Sequence, residues 1–293
     1  MGSEADFQAL QALLRAGPVE LVRVRRVAGS APREPGAWMA VGAAGQVGTI
    51  GGGHLEWQAL ADARARLRQP RPEPEERRVA LGPTLGQCCG GVVWLTFERL
   101  EAPADAEARR AQLVAPALPV ALFGAGHVGR ALVAALAPLP FALRWIDARE
   151  PQDGWPAGPV AGLEPQPLDP PADAVPTLPP GSAVLVMTHR HDLDFAIVEA
   201  CLQRRRARHD LPFIGLIGSR SKWASFAQRL RARGWTEGEL TAVTCPIGLP
   251  GIPGKQPAVI AASVAAQLLQ IAYTLHWNVA AAPAPNGSGG GGT

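Results

Sequence analysis

A glycine-rich turn between a predicted strand and a predicted helix constrains the fold of this 293-residue chain most. The turn, residues 124–129 with the sequence GAGHVG, follows the apolar stretch 119–123 and opens the helical pattern 128–136. Asp147 ends the next apolar stretch, about twenty residues on, where an acidic side chain can bond a ribose hydroxyl. Together these features predict a Rossmann-like domain, in which the strands of a parallel sheet alternate with helices.

The glycine turn is compatible with two roles, and the sequence leaves both open. In the first, Gly124, Gly126 and Gly129 approach the phosphates of NAD(P) or another nucleotide, and Asp147 binds the ribose. His127 stands against that role, because a bulky side chain in the phosphate loop crowds a pyrophosphate. In the second role the glycines only let the helix pack on the strand, since a fold does not define a function.

Polar side chains follow the next two predicted strands, at the edge where open α/β sheets bind ligands. His189 and Asp192 come after the apolar stretch 183–187 and are candidates for ligand binding or acid–base work. The alternative is a helix entry with exposed histidines. Arg220 and Lys222 take the equivalent place after the next strand, where they either hold a phosphate or start a helix.

A loop rich in proline and glycine, residues 245–255, precedes the long apolar pattern 257–275. Residues of these two types in such number specify one rigid loop shape. Lys255 is one of only two lysines in the chain, which otherwise uses arginine. A functional role for its compact ammonium group is therefore predicted. Cys201 and Cys245 are expected to be small packed residues.

The N-terminal third predicts a different architecture, with strands joined mainly by turns. Residues 19–27 alternate apolar and charged side chains, as half-buried strands do. Residues 36–41 and 46–50 predict a hairpin joined by a glycine-rich turn. A helix is expected over residues 54–67 and a further strand over residues 92–98. These elements predict a small α+β domain.

Changes in composition divide the chain into four parts. Residues 1–100 form the small α+β domain, and residues 101–118, rich in alanine, proline and charge, form a linker. Residues 119–280 form the Rossmann-like domain with a mostly parallel sheet, and the glycine-rich residues 281–293 form a flexible tail. The predicted fold class is therefore α/β, and the length suits two domains of about 100–200 residues each.

A triple glycine in the N-terminal domain favours an anion-binding loop. Gly51, Gly52 and Gly53 leave backbone N–H groups bare, and His54 follows at the predicted start of a helix. The helix dipole adds positive potential there, which suits phosphate or another oxyanion. Arg33 lies in another rigid loop of proline and glycine, where its planar fork could reach an anionic ligand. The alternative for that loop is an ordinary connection between strands with an exposed arginine.

Two adjacent cysteines make phosphate binding alone an incomplete explanation. Cys88 and Cys89 follow Gln87 in the glycine-rich segment 85–91. Four cysteines in a chain of this size do not suggest a disulfide framework, and the geometry of adjacent cysteines disfavours pairing. The flanking glycines would leave both thiols accessible for sulfur or soft-metal chemistry. Buried structural thiols are the alternative.

Taken together, these segments resemble the xanthine dehydrogenase accessory protein family, the XdhC/CoxI type. The segments that carry the resemblance follow the family's order and span nearly the whole chain: 29–36, 48–56, 86–91, 123–129, 188–194, 215–222 and 246–255. The resemblance implies a chaperone for the molybdenum cofactor, Mo-molybdopterin. Such proteins work with a cysteine desulfurase that replaces an oxo ligand by a sulfido ligand. They then pass the sulfurated cofactor to the molybdenum subunit of apo xanthine dehydrogenase.

Under this resemblance, the cofactor would lie between the N-terminal glycine loops and the carboxyl edge of the Rossmann-like sheet, since domain interfaces are common ligand sites. The candidate cofactor-binding residues are Arg33, Gly51, Gly52, Gly53, His54, Gln87, Cys88, Gly124, Gly126, His127, Gly129, Asp147, His189, Asp192 and Lys255. Cys88 and Cys89 are the candidates for chemistry. The open roles are a sulfur relay, protection of the sulfido group and, for Cys88, contact with molybdenum.

Two other functions are also compatible with the residues. An NAD(P)-dependent oxidoreductase would use Asp147 for ribose and His189 or Cys88 for acid–base work, although no hydride-transfer triad is recognisable. A molybdopterin nucleotidyltransferase would need the signature G-x-x-x-R-x-G followed by lysine. Gly29 and Arg33 match the start of that signature, but no lysine follows. The residues therefore favour an accessory protein over a catalyst in its own right.

Composition and charge exclude several classes of partner. The net charge is +3, and no basic stripe with interleaved aromatic residues is present, so nucleic acid is not an expected partner. No apolar run is long enough to span a bilayer, and the acidic, amphipathic N-terminus is unlike a secretory signal. We therefore expect a cytoplasmic protein with no membrane partner, and homodimerisation is left open.

Overall fold

A computed structural model of the chain describes residues 1–70, 72–81, 90–149 and 159–280. The predicted tail, residues 281–293, lies outside the described residues. The chain divides into two units, Met1–Pro116 and Ala117–Thr293. Each unit has its own sheet and its own core.

The first unit contains a five-stranded antiparallel sheet with the strand order β3-β2-β1-β5-β4. Its elements, in chain order, are α1 (Glu4–Ala16), β1 (Val19–Ala28), β2 (Trp38–Gly42), β3 (Gly45–Gly48), α2 (Gly53–Leu67), β4 (Glu75–Ala80), β5 (Val92–Leu100), α3 (Pro103–Ala108) and α4 (Arg110–Leu113). The predicted hairpin is confirmed, since β2 and β3 pair antiparallel from Met39 to Gly48. The predicted helix α2 and strand β5 are confirmed as well.

Both faces of this sheet are covered, so the prediction of a half-buried strand is wrong for residues 19–22 of β1, which are all buried. Val22 belongs to the buried cluster between the sheet and α2, together with Leu55. Leu21 points the other way and belongs to the buried cluster with α1, together with Phe7. Because successive strand residues face opposite sides, one strand supplies both clusters. Each fully buried side chain of this size contributes roughly 1.5–3 kcal/mol.

Residues 101–118, the predicted linker, contain α3 and α4, which belong to the first unit. Leu113 is fully buried in the cluster beside α1, and its carbonyl oxygen accepts a hydrogen bond from Trp38 Nε1 at 2.7 Å. Ala106 is fully buried in the same cluster. These contacts join residues distant in sequence, so the composition of the segment does not reveal them.

The second unit contains a six-stranded parallel sheet with the strand order β11-β10-β9-β6-β7-β8. Its elements are β6 (Leu118–Phe123), α5 (His127–Leu136), β7 (Phe141–Asp147), β8 (Gln166–Pro167), a 3-10 helix (Pro171–Thr177), β9 (Ala183–Val186), α6 (His191–Arg208), β10 (Phe213–Leu216), α7 (Arg220–Arg231), α8 (Glu237–Leu240), β11 (Val243–Thr244) and α9 (Pro257–Ala280). Helices α6 and α7 contribute to one buried cluster, and α5 and α9 contribute to the other. The predicted α/β class with a Rossmann-like second domain is confirmed.

Helix α9 corrects the expectation that no apolar run is long enough to span a bilayer. By length and hydropathy alone, Pro257–Leu275 could do so, and 33% of this stretch is buried. Val264 and Leu268 are fully buried in the same cluster as Leu122 of β6. The core helix of a soluble protein can have the same length and hydropathy, so the stretch is weak evidence for a membrane span. The absence of a membrane partner stays a prediction.

Candidate functional site

Three loops of the first unit meet at glycines that the sequence singles out. Gly51 lies close to the loop of residues 29–36, the Arg33 loop. A Cβ added to Gly51 would stand 2.6 Å from Pro32 Cβ. Gly91, at the end of the cysteine-containing segment, also touches that loop. A Cβ added there would stand 2.3 Å from the carbonyl oxygen of Ser30. The triple-glycine loop, the Arg33 loop and the end of the cysteine segment are therefore in contact.

The backbone conformation of the triple-glycine loop requires glycine. Gly51, Gly52 and Gly53 have φ angles of 123°, 73° and 63°. Residues with a Cβ rarely adopt such angles. Helix α2 begins at Gly53, and its N-cap residue, Gly52, offers no side-chain acceptor to the first turn. The positive end of the helix dipole therefore lies directly beside the loop.

Glu56 holds this loop in shape from the first turn of α2. Its carboxylate accepts hydrogen bonds from the amides of Ile50 (3.0 Å) and Gly52 (3.1 Å) and from the Thr49 hydroxyl. Burial opposes ionisation, but these hydrogen bonds outweigh burial and lower the pKa of Glu56. The Gly51 amide donates to Thr49 Oγ1 at 3.1 Å. The prediction of bare amides is therefore wrong for Gly51 and Gly52.

The amides at the start of α2 are the ones left for a ligand. Among the described residues, the amides of Gly53, His54 and Leu55 have no hydrogen-bond acceptor. The rings of His54 and Trp57 lie 5.6 Å apart between centroids, and Trp57 is 66% exposed. Trp57 thus adds an exposed aromatic surface within one helical turn of three free donors, where an anion can bind.

Gln87, Cys88 and Cys89 lie outside the described residues. The strands on either side of them, β4 and β5, pair antiparallel. Beyond the paired residues, the Leu81 amide donates a hydrogen bond to the Gly91 carbonyl oxygen at 2.8 Å. The three predicted residues therefore belong to the connection between β4 and β5, and one end of that connection touches the Arg33 loop.

In the second unit, packing shapes the glycine turn after β6. Gly124 has a φ of 122°, and a Cβ added there would stand 2.2 Å from the Met187 carbonyl oxygen. A Cβ on Gly129 would stand 2.1 Å from the Gly124 carbonyl oxygen. Gly126, in contrast, faces open space, and His127 begins α5 directly after it. Two of the three glycines thus serve the close approach of strand, turn and helix.

Asp147 is fully engaged by neighbouring groups. Its buried carboxylate accepts hydrogen bonds from the Ala125 amide at 2.6 Å, from the Arg149 amide at 2.9 Å and from the Arg149 guanidinium at 2.9 Å. Burial opposes ionisation, but the hydrogen bonds from Arg149 and Ala125 outweigh it and lower the pKa of Asp147. Asp147 therefore anchors the glycine turn, and a ribose hydroxyl would have to compete with Arg149.

A buried ion pair lies at the carboxyl ends of β9 and β10. Lys222 Nζ is 2.6 Å from Asp194 Oδ2, and it also donates to the Ile217 carbonyl oxygen at 2.9 Å. The predicted site residues nearby, His189 and Asp192, are exposed, and Asp192 pairs with a neighbouring arginine. Because Asp194 holds the Lys222 ammonium group, this lysine is not free to bind a phosphate.

Within residues 1–70, 72–81, 90–149 and 159–280, no group of three or more His, Cys, Asp and Glu side chains is placed to hold a metal ion. A metal contact through Cys88 falls outside these ranges and stays a prediction.

Similarity to known families agrees with this architecture. A family model described as the XdhC Rossmann domain matches residues 120–268, half of the chain. The chain belongs to the XdhC family. A second model, described as the XdhC and CoxI family, matches residues 12–79. The XdhC assignment thus draws on both units and confirms the resemblance seen in the sequence motifs.

Two individual proteins are also similar to this chain. "Uncharacterized protein YqeB" of Escherichia coli (strain K12) is 29% identical over 263 residues, which are 87% of this chain and 43% of that protein. The chain thus spans less than half the length of this curated relative. A crystal structure described as a xanthine dehydrogenase from Bacillus halodurans matches with a TM-score of 0.75 and 22% identity, covering 94% of this chain and 96% of that one. At this identity the match shows the shared fold.

Four residues that shape the two candidate sites were not predicted as site residues: Glu56, Trp57, Arg149 and Asp194. Lys222 was predicted either to hold a phosphate or to start a helix, and it lies in the first turn of α7, paired with Asp194. Glu56 had a local signal, because an acidic residue in the first turn of a helix often binds amides of the preceding loop. Arg149 also had one, since it follows Asp147 by two residues. The pairing of Asp194 with Lys222 joins two helices and has no local signal.

Proposed function

We propose that this chain is an accessory protein of a xanthine dehydrogenase that binds Mo-molybdopterin as its cargo. Membership of the XdhC family supports the accessory role. In the proposal, a cysteine desulfurase supplies sulfur to the bound cofactor, and the chain delivers the sulfurated cofactor to the molybdenum subunit of apo xanthine dehydrogenase. The proposed location is the cytoplasm.

The observation that carries the proposal is the meeting of the three N-terminal loops. The cargo has an anionic phosphate, a flat heterocycle and a metal with an affinity for sulfur. The free amides of Gly53 and His54 suit the phosphate, and the Arg33 guanidinium adds a charged donor from the adjacent loop. The exposed ring of Trp57 suits the heterocycle.

Cys88 and Cys89 supply the sulfur chemistry in this proposal. Their connection begins and ends at the strands β4 and β5, and Gly91 ties its end to the loop of Arg33. Thiolates are soft ligands and nucleophiles, so a pair of them beside the bound cargo would contact molybdenum, relay sulfur or protect the sulfido group.

The structure gives less support to the two alternatives. An NAD(P)-dependent oxidoreductase needs Asp147 for the ribose, but this carboxylate is bound by Arg149 and by the Ala125 amide. A nucleotidyltransferase needs a lysine after Arg33, and the chain has lysines only at positions 222 and 255.

Cofactor retention tests the proposal. The purified full chain is loaded with Mo-molybdopterin, passed through gel filtration and assayed for molybdenum and for the fluorescent oxidised pterin. We expect near-stoichiometric retention by the wild type and by a Cys245→Ser control, and a loss of retention or of sulfuration in a Cys88→Ala/Cys89→Ala variant. A wild type that retains no cofactor but binds NAD(P) would replace this proposal by the oxidoreductase.

A further inference from the structure

The second unit contains a cavity beside the proline- and glycine-rich loop 245–255. Its volume is about 740 Å³, and it lies beside the ends of β10 and β11, the start of α7 and the first turns of α9. Cavities of about 300–1,000 Å³ are the usual size for small-molecule sites. The loop 245–255, rich in proline and glycine, forms one wall. None of the residues of the glycine turn after β6 lines it.

Two polar side chains of α9 fasten that wall. The Gly248 amide donates to Gln267 Oε1 at 2.8 Å, and the Leu249 amide donates to the buried Ser263 hydroxyl at 2.8 Å. Gly248 has a φ of 104°, and an added Cβ would stand 2.6 Å from Ser263 Oγ. The wall therefore keeps its shape before any ligand arrives.

The charges in the cavity have one sign. Arg220 and Lys255 line it, and no aspartate or glutamate is among its lining residues. No ion pair to either cation is found within the described residues. Lys222 differs, because its ammonium group is neutralised by Asp194 at 2.6 Å. The two cations therefore make the cavity suited to an anion.

The remaining walls are mostly apolar. Ile217, Ile247 and Ile260 contribute branched side chains, and Ser219 and Thr244 add hydroxyl groups near the strand ends. An inorganic anion would leave this apolar surface uncovered. A ligand that joins an anionic group to a flat or apolar body would cover both parts.

We propose that this cavity binds an organic phosphate, with the phosphate held by Arg220 and Lys255 and the heterocyclic body placed against the isoleucines. The inference goes beyond the accessory function, because none of the N-terminal loop residues lines the cavity. Nucleotides and phosphorylated pterins share this chemistry. Which of these two probes binds shows whether the ligand is a nucleotide or a phosphorylated pterin.

Isothermal titration of the full chain tests the inference, with AMP, a pterin monophosphate, adenosine and inorganic phosphate as probes. We expect AMP or the pterin monophosphate to bind, and adenosine and inorganic phosphate each to bind at least about tenfold more weakly. The variants Arg220→Gln and Lys255→Gln should each weaken binding about tenfold or more. Arg208→Gln, an exposed arginine of the same unit, is the matched control and should leave binding unchanged.

Three results would overturn the inference. These are no binding of either organic phosphate, binding unaffected by both variants, and binding of inorganic phosphate as tight as that of AMP. Far-ultraviolet circular dichroism verifies that the variants fold, which is expected because both side chains are exposed. The Cys88→Ala/Cys89→Ala variant should bind the organic phosphate like the wild type, so failure of the accessory proposal is distinguishable from failure of this one.

Discussion

At the residue scale, burial decides which cysteine thiols ionise. Burial raises the pKa of Cys201 to about 12, and it also raises the pKa of Cys245 despite the nearby Lys222. Both therefore behave as the packed residues that the sequence predicts. Because the thiolate is the reactive form, neither should react quickly at neutral pH.

Alkylation with iodoacetamide at pH 7.5, followed by peptide mass spectrometry, checks this prediction. We expect Cys201 and Cys245 to stay unmodified in the native protein on a timescale that modifies all four cysteines in guanidinium. Rapid native labelling of Cys245 would contradict the prediction, because it would require an accessible thiolate.

Asp147 gives a prediction about stability and pH. Its folded-state pKa lies below the ordinary value of 3.8, so the ionised carboxylate stabilises the fold above that pH. This contribution is lost as the pH falls through the folded-state pKa. Asp147→Asn should therefore lower the free energy of unfolding by about 1.5–3 kcal/mol at pH 7, the usual range for hydrogen bonds to a charged group.

Urea unfolding from pH 7 down to pH 3 measures the effect of Asp147→Asn. The difference from the wild type should shrink as the pH falls below 3.8. Asp192→Asn is the control, because Asp192 pairs with Arg190 on the surface, and it should cause no measurable change. A difference for Asp147→Asn that stays constant with pH would show that its charge is not the cause.

At the scale of elements, the triple-glycine loop and the Arg33 loop should respond together. In Gly51→Ala, the new Cβ meets Pro32 at 2.6 Å and the residue keeps a positive φ, so we expect a loss of about 3 kcal/mol of stability. Gly234→Ala is the matched control, with a φ of 86° and open space, and should cost about 1 kcal/mol. Denaturant unfolding gives both values, and cofactor retention should fall only in Gly51→Ala. Equal losses in the free energy of unfolding for the two variants would mean that Gly51 is not in tight contact with the Arg33 loop.

The aromatic surface on α2 gives a second prediction at this scale. Trp57→Ala should lower cofactor affinity about fivefold, equivalent to about 1 kcal/mol, because a stacking partner is removed. The side chain is 66% exposed, so the free energy of unfolding should change by less than about 0.5 kcal/mol. Titration with the oxidised pterin measures the affinity, and Trp57→Phe should restore most of it. An unchanged affinity in Trp57→Ala would remove this residue from the proposed site.

Elements with a local pattern could be predicted from the sequence, whereas contacts between distant residues could not. The strand β1 and the glycine turn before α5 could each be predicted from a pattern of a few neighbouring residues. A short helix could also be predicted within residues 101–118, but its place in the first unit could not, because that place depends on distant contacts such as the hydrogen bond from Trp38 Nε1 to the Leu113 carbonyl oxygen. At the site, the required glycines could be predicted from the sequence, whereas the hydrogen bonds from the Ile50 and Gly52 amides to the Glu56 carboxylate were not predicted, despite the local signal at Glu56.

At the scale of the whole molecule, each unit buries its own core. The sheet of the second unit is covered on both faces by helices of the same unit. We therefore expect residues 117–280, expressed alone, to fold and to unfold cooperatively in urea. Circular dichroism and tryptophan fluorescence should give coincident transitions. A fragment that is soluble yet lacks a cooperative transition would show that the unit needs the rest of the chain.

The hydrogen bonds of Glu56 have a consequence for the rates at which the proposed cargo would bind and leave. Since the protein itself satisfies the amides of Ile50 and Gly52, the loop is already ordered when the site is empty. Little conformational entropy is then lost on association, so the on-rate need not wait for loop ordering. Residence time would instead depend on the few contacts made to the cargo itself. A carrier with such a site can load quickly and still release its cargo to an acceptor that offers more contacts.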